Sequence, residues 1–166
     1  MKDELSYMLI TPYTLSKSRT GGVMSRLLSR TDLELRGVQV FSPSNEMIEA
    51  YADSIKNNSI NDDKKVSSLL ADYVRTQFIS SEIKCKRVML MLFKGEDAAV
   101  KLSKIAGAIN YKNKSQESLT GETIRDTYAD LVMSADNPDK VQYFEPAVFS
   151  ARSKESAEIN LKIFAN

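Results

Sequence analysis

The chain has 166 residues, of which 42% are hydrophobic and 27% are charged. These proportions predict one soluble domain spanning residues 1–166, with a core large enough to fold alone. The 23 basic residues nearly cancel the 22 acidic ones, so the net charge is only +1. Without a net field that attracts phosphates or anionic lipids, neither nucleic acid nor a membrane surface is an expected partner.

The absence of histidine is the most informative property of the composition. Histidine is the residue most often used for proton transfer near neutral pH, for zinc binding and for carrying a phosphoryl group. Serine–histidine and cysteine–histidine hydrolysis, common zinc sites and phosphohistidine transfer are therefore excluded for this chain acting alone.

Localisation is predicted from the cysteine count and from the apolar runs. A single cysteine, Cys85, excludes an intramolecular disulfide, and its position beside an apolar run predicts a buried thiol. The first residues contain no signal-peptide core, and no run of about 18 uncharged apolar residues occurs. We therefore expect a cytoplasmic protein.

The first third of the sequence predicts a strand, a helix and a second strand. Residues 6–11 form a short apolar run that ends at a proline, which favours a strand. Residues 21–30 carry one apolar stripe at helical spacing. In residues 33–41 the apolar positions change parity at Gly37, which predicts a strand with a bulge at the glycine.

A helical hairpin is predicted next. Ser44 is a candidate N-cap for a helix with apolar residues between 47 and 55, and a second helix carries apolar residues between 66 and 78. Residues 56–65 between them are too polar to bury and predict an exposed connection.

The remainder predicts a strand at 88–93 closed by Gly95, a helix over 97–106, and a long polar loop over 110–121. Residues 141–151 predict a fourth strand with a possible interruption at Pro146. The periodicity of the last segment is compatible with either a strand or a helix. This order predicts an α+β, ferredoxin-like, four-stranded antiparallel sheet with covering helices.

Three short motifs resemble those of nucleoside diphosphate kinases. They are Leu-Ile-Thr-Pro at 9–12 followed by Gly21 and Arg26, Gly-Glu-Thr-Ile-Arg at 121–125, and Ser-Lys-Glu-Ser-Ala at 153–157. They occur in the family's order and span nearly the whole chain. The resemblance implies that the last segment is a helix and that the protein is a homo-oligomer.

The resemblance also implies that the catalytic machinery has been lost. The family's phosphate-accepting histidine falls at Phe149, and the glutamate that holds this histidine falls at Asn160. A phenyl ring has no lone pair with which to attack phosphorus. Five further positions depart from the family pattern. Four of them are the lysine at Thr11, the aspartate at Tyr13, the phosphate-gripping arginine at Ser103 and the asparagine at Pro146. The loop threonine of the family falls at Ile109.

Four residues are the candidates for nucleotide contact: Tyr51, Asp53, Arg125 and Thr11. Arg125 could bind a phosphate or pair with a carboxylate such as that of Asp126. Tyr51 lies on an apolar stripe and could equally belong to the core. Asp53 without its catalytic neighbours is interpreted as a solvated charge.

Other polar residues are weaker candidates. Lys112 and Lys114 are interpreted as surface residues of the polar loop. Ser150 and Ser153 could be proposed as substitute nucleophiles, but no histidine is available to activate them.

Three functional hypotheses remain open from the sequence. The first is a catalytically inactive nucleoside diphosphate kinase-like pseudoenzyme, regulatory or structural, with a vestigial cleft that binds nucleoside di- or triphosphates weakly. The second is an ATP-dependent nucleotide phosphotransferase that works by ternary-complex transfer, with Arg125 and nucleotide-bound Mg²⁺ clamping the phosphates. The third is an assembly module without a ligand. No cofactor is expected apart from Mg²⁺ accompanying a bound nucleotide.

Overall fold

The computed structural model describes residues 3–57, 64–79, 86–109 and 121–166. Cys85, Lys112, Lys114 and most of the polar loop lie outside these ranges. The strands are β1 (Glu4–Ile10), β2 (Glu34–Phe41), β3 (Val88–Gly95), β4 (Asp130–Met133), β5 (Val141–Glu145) and β6 (Val148–Ser150). The helices are α1 (Pro12–Ser16), α2 (Thr20–Arg30), α3 (Asn45–Asn57), α4 (Lys64–Gln77), α5 (Ala98–Ala106), α6 (Ile124–Tyr128) and α7 (Lys154–Phe164).

Four of these strands form the main sheet in the order β2-β3-β1-β6. Every neighbouring pair is antiparallel. This topology confirms the predicted ferredoxin-like sheet. The bulge expected near Gly37 is also present, as a register shift between Leu35 and Gly37.

Both faces of the sheet are covered by helices. In β1, Tyr7 and Leu9 join the core that contains residues of α3, α4 and α7. Met8 and Ile10 point to the opposite face and join the core that contains residues of α2, α5 and α6. Successive residues of a strand point to opposite faces of the sheet. Because both faces are buried here, the sequence of β1 is an unbroken apolar run.

Hydroxyl caps fix the starts of two helices. The Ser44 hydroxyl accepts a hydrogen bond from the Met47 amide at 3.2 Å, as the predicted cap of α3 requires. The Ser153 hydroxyl accepts from the Ser156 amide at 3.1 Å and begins α7. Helix α7 resolves the ambiguity of the last segment in favour of the helix that the resemblance implied.

The predicted strand over residues 141–151 is interrupted at Pro146, as the sequence suggested, but its two halves belong to different sheets. The segment divides at Pro146 and Ala147 into β5, which pairs with β4 in a separate two-stranded sheet, and β6, which belongs to the main sheet. Proline has no amide hydrogen, and Ala147 adopts a left-handed φ of 64° that turns the chain. The short helices α1 and α6 are additions to the predicted elements.

The turn at Ala147 matters for the site because it directly precedes β6. The Ala147 carbonyl accepts from the Thr11 amide at 3.2 Å and from the Thr14 hydroxyl at 3.0 Å. These bonds hold a backbone conformation that costs a residue other than glycine roughly 1–3 kcal/mol. They fix the start of β6 against the end of β1.

In the described ranges, no helix is both long enough and apolar enough to cross a membrane.

Candidate functional site

Phe149 lies at the centre of β6 and is only 3% exposed. Its ring packs against the rings of Tyr51, Tyr73 and Phe78, with centroid distances of 5.9 Å in each case. Aromatic pairs at such distances stabilise a core beyond the simple burial of their area. At the position where the resemblance places a nucleophile, the chain therefore has a core aromatic residue that cannot form a bond to phosphorus.

Asn160, on α7, is also part of the interior. Its amide nitrogen donates to the Tyr7 hydroxyl at 2.9 Å, and its amide oxygen accepts from the Ser54 hydroxyl at 2.5 Å. The Tyr7 and Tyr51 hydroxyl oxygens are 2.9 Å apart. Burial raises the pKa of Tyr7 and of Tyr51, so both phenols stay neutral near pH 7. The four described members of this network are neutral, and none of them is a carboxylate that could hold an imidazolium.

Thr11 is fully buried at the junction between β1 and α1. Its hydroxyl accepts from the Thr14 amide at 3.3 Å, which caps α1, and donates to a Glu145 carboxyl oxygen at 2.9 Å. Thr11, which the sequence analysis made a candidate for nucleotide contact, therefore caps a helix and has no exposed surface in this conformation.

Glu145 is a buried carboxyl group that the sequence reasoning missed. It is 2% exposed, and it accepts hydrogen bonds from the Thr11 and Tyr73 hydroxyls and from the Ala147 amide. The three donors belong to three separate parts of the chain, so the carboxyl group ties the end of β1, α4 and the turn before β6 together. In the sequence, Glu145 is a charged residue between Phe144 on one side and Pro146 and Ala147 on the other. This apolar setting was the signal that could have indicated its burial.

The burial of Glu145 predicts a specific pH dependence of stability. Burial raises the pKa of the Glu145 carboxyl above its ordinary value, in spite of the hydrogen bonds that lower it. The folded state therefore binds this proton more tightly than the unfolded chain does. The stabilising contribution is complete below the unfolded pKa of about 4.3 and is lost as the pH rises through the folded pKa.

Glu145→Gln removes this titration, so wild type should lose stability relative to the variant as the pH rises from about 4 to 7. Urea unfolding of both proteins at several pH values measures the difference. Parallel stability curves would show that burial does not perturb the Glu145 carboxyl.

Arg125, on α6, is buried and donates to backbone carbonyl oxygens. Its guanidinium nitrogens contact the carbonyl oxygens of Gly107 at 2.5 Å, Pro146 at 3.3 Å and Val148 at 2.8 Å. Burial lowers the pKa of Arg125 to about 10, so the side chain remains charged at neutral pH. Arg125 thereby connects the end of α5 to the segment on either side of Ala147.

The four candidate nucleotide residues do not converge on one surface. Tyr51 and Arg125 line the same inner cavity, next to Phe149. Asp53 is on the exposed side of α3, where its carboxylate pairs with Arg75 at 2.5 Å. Asp53 is therefore exposed, as expected, although it is not an isolated charge.

Two cavities lie around Phe149 and Arg125. The inner one has a volume of about 70 Å³ and includes Tyr51, Phe149, Ser150 and Asn160 in its lining. The outer one, of about 480 Å³, includes Ser103, Lys104, Ile109 and Thr123. Arg125 and Arg152 line both. Ligand-sized pockets typically measure roughly 300–1,000 Å³, so of these two cavities the outer one has room for a nucleotide-sized molecule and the inner one does not.

The lining of these cavities limits their chemistry. None of the described residues that line them is an aspartate or a glutamate. Ser150 therefore has no general base beside it there, and the Ser153 hydroxyl caps α7. Among the described residues, no group of three or more histidine, cysteine, aspartate or glutamate side chains is placed to hold a metal ion.

The fold defines the class of protein that this chain resembles, a nucleoside diphosphate kinase-like α+β domain. No protein-family model matches the sequence, and no curated protein matches it. Solved structures of nucleoside diphosphate kinases do match, at 14–16% sequence identity. At this identity the likeness shows the shared fold.

Three of these structures illustrate the extent of the match. The enzyme from Aquifex aeolicus is 15% identical with a TM-score of 0.64, over 98% of this chain and 95% of its own. The enzyme from Borrelia burgdorferi, a transition-state mimic with bound vanadate and ADP, is 14% identical with a TM-score of 0.68, over 98% and 86%. The enzyme from Pyrobaculum aerophilum is 15% identical with a TM-score of 0.65, over 98% and 96%.

Proposed function

We propose that the protein is a catalytically inactive nucleoside diphosphate kinase-like module with a regulatory or structural role. The observation that carries the proposal is the place of Phe149 in a buried aromatic cluster. Phe149 stands at the position that the sequence resemblance gives to the family's nucleophile. A phosphoryl group cannot be held covalently there. The neutral Asn160 network and the capping role of Thr11 support the same proposal, because both positions contribute to folding.

The proposed cleft has at most weak affinity for nucleoside di- or triphosphates. Of the four candidate residues, Tyr51 and Arg125 line the inner cavity, while Asp53 pairs with Arg75. Charge-assisted hydrogen bonds contribute roughly 1.5–3 kcal/mol each. With Thr11 and Ser103 where the family has lysine and arginine, affinity should be at least about a hundredfold below that of an intact family member.

We also propose that the protein forms a homo-oligomer through the β2 edge of the sheet. Among the described strands, β2 pairs with β3 on one side and has no partner on the other. Leu35, Val38 and Val40 are 40%, 47% and 47% exposed. An apolar strand with an unpaired edge favours pairing with a second copy, because this satisfies the backbone groups and buries the side chains.

The test is incubation of the purified protein with γ-labelled ATP and a nucleoside diphosphate in the presence of Mg²⁺. We expect no acid-labile phosphoenzyme and no labelled triphosphate product, because no residue of the chain can form phosphohistidine. Sedimentation equilibrium of the same preparation should give a mass above that of one chain.

Labelled product above background would contradict the proposal and would favour ternary-complex transfer with nucleotide-bound Mg²⁺. Calorimetry distinguishes the remaining alternative. The complete absence of nucleotide binding would favour a ligand-free assembly module, whereas micromolar or tighter binding would contradict the weak cleft.

A further inference from the structure

A third cavity lies away from the cleft beside Phe149, between α1, α4 and β5. Its volume is about 830 Å³, and it shares no lining residue with the two cavities described above. Four aromatic side chains contribute to its lining: Tyr13, Tyr73, Tyr143 and Phe144. Because ligand-sized pockets typically measure roughly 300–1,000 Å³, this cavity has room for a small molecule.

The aromatic rings of this cavity meet at steep angles. The ring centroids of Tyr13 and Tyr143 are 6.5 Å apart, and the two ring planes are inclined by 66°. Those of Tyr73 and Phe144 are 5.9 Å apart and inclined by 90°. Tyr143 is 41% exposed, so its ring is accessible from solvent. Rings at such angles can turn more than one π-face toward the same ligand, and each π-face carries partial negative charge.

The Tyr13 ring already contacts positive charge. The ammonium nitrogen of Lys17 lies 5.6 Å from the centroid of this ring, and the guanidinium carbon of Arg19 lies 5.5 Å from it. A cation within about 6 Å of a ring centroid is attracted by the ring quadrupole. Side chains of the protein itself therefore show that this wall of the cavity suits cations. Lys17 also lines the cavity, so its ammonium group would compete with a cationic ligand.

Glu145 adds a carboxyl group that has no cationic partner. Its three hydrogen-bond donors are neutral groups of Thr11, Tyr73 and Ala147. No ion pair to Glu145 occurs among the described residues. Asp72, which is exposed on α4, lines the cavity as well. A buried carboxylate is costly unless a positive charge compensates it, and a cation in this cavity would supply that charge.

We propose that the cavity between α1, α4 and β5 binds a small organic cation of the quaternary ammonium type. The Glu145 oxygens already accept three hydrogen bonds, so they have little capacity left for a ligand N–H. A quaternary ammonium group has no N–H, and ring faces together with negative charge suffice to hold it. The inference goes beyond the proposed function and does not depend on it, because this cavity is separate from the cleft beside Phe149.

The experiment is calorimetric titration of the full chain with choline chloride at constant ionic strength. The reference ligand is the uncharged alcohol in which a carbon atom replaces the nitrogen of choline. We expect saturable binding of choline and at least about tenfold weaker binding of the alcohol, because only choline gains the attraction between a cation and the rings. Equal affinities for the two ligands, or no saturable binding of choline, would overturn the proposal.

Tyr143→Leu removes one ring of the cavity and should weaken choline binding about fivefold or more. Tyr143→Phe is the matched control, because it keeps the ring and should bind choline nearly as wild type does. Both substitutions are at a partly exposed position, so we expect both variants to fold. Wild-type affinity for choline in Tyr143→Leu would contradict the assignment of the site.

Glu145→Gln should weaken choline binding about threefold or more and leave the affinity for the uncharged alcohol unchanged, because it removes a negative charge with little change of shape. The same loss for both ligands would mean that the substitution distorts the cavity, and the charge argument would fail.

Lys17→Met should strengthen choline binding about twofold or more, because it removes the competing ammonium group from the Tyr13 ring. Lys162→Met is the control for general electrostatics, since Lys162 is on α7 and lines none of the three cavities. We expect unchanged affinity in this variant. Equal gains in the two variants, or weaker binding in Lys17→Met, would overturn the proposal.

A parallel titration with an acetylated and amidated trimethyl-lysine distinguishes a free small molecule from a methylated side chain of a partner protein. Tighter binding of choline supports a free ligand. Tighter binding of the lysine derivative, again dependent on the Tyr143 ring, supports the same site with a protein side chain as the source of the cation. These results are independent of the labelled-ATP assay, so the proposed absence of catalysis can fail or stand separately.

Discussion

Phe149→His should destabilise the protein by about 2–4 kcal/mol without creating phosphoryl transfer between nucleotides. The substitution removes ring contacts with Tyr51, Tyr73 and Phe78 and places a polar imidazole in their midst. The nearby network offers the amide of Asn160 rather than a carboxylate, and this amide is already bonded to Tyr7 and Ser54. The imidazole would lack the partner that fixes its tautomer and orientation.

Urea unfolding and the labelled-ATP assay measure the two halves of this prediction. Phe149→Leu is the control, because it keeps an apolar side chain and should lose less stability than the histidine variant. If Phe149→His transferred phosphate at a rate near that of nucleoside diphosphate kinases, the surrounding site would have to be intact. The protein would then not be a degenerate member of this fold.

Arg125→Met should destabilise the protein by about 3–5 kcal/mol, although it preserves most of the side-chain length. The carbonyl oxygens of Pro146 and Val148 would lose this donor while remaining in the interior, and the partly buried carbonyl oxygen of Gly107 would lose it as well. Buried acceptors without a partner carry their full desolvation cost. Since Pro146 and Val148 flank the left-handed Ala147, the turn that begins β6 should be the part most affected.

Arg75→Met provides the comparison with an arginine of similar size. Arg75 pairs with Glu49 and Asp53 at the surface of the helical hairpin, and exposed pairs of this kind contribute roughly 0–1 kcal/mol. Chemical denaturation of both variants gives the two free energies of unfolding. If the two variants lost similar amounts of stability, the carbonyl contacts of Arg125 would not be what stabilises the fold. The buried position of Arg125 would then have another cause.

The sequence by itself predicted the order of the main elements and their arrangement in the sheet. Burial on both faces makes β1 and β3 continuous apolar runs, and hydroxyl caps such as Ser44 and Ser153 mark helix starts locally. The lack of histidine excludes phosphohistidine chemistry on composition alone. These properties depend on residue type and short-range periodicity, which a sequence displays directly.

Only the tertiary structure decided how the polar residues of the site are used. Glu145 receives its hydrogen bonds from Thr11 and Tyr73, which are 134 and 72 residues away in the chain. Arg125 meets carbonyl groups rather than Asp126, because the turn at Ala147 brings the ends of β5 and β6 beside α6. Such partners are set by packing between distant segments, and neither periodicity nor local motifs record which distant groups will share the interior.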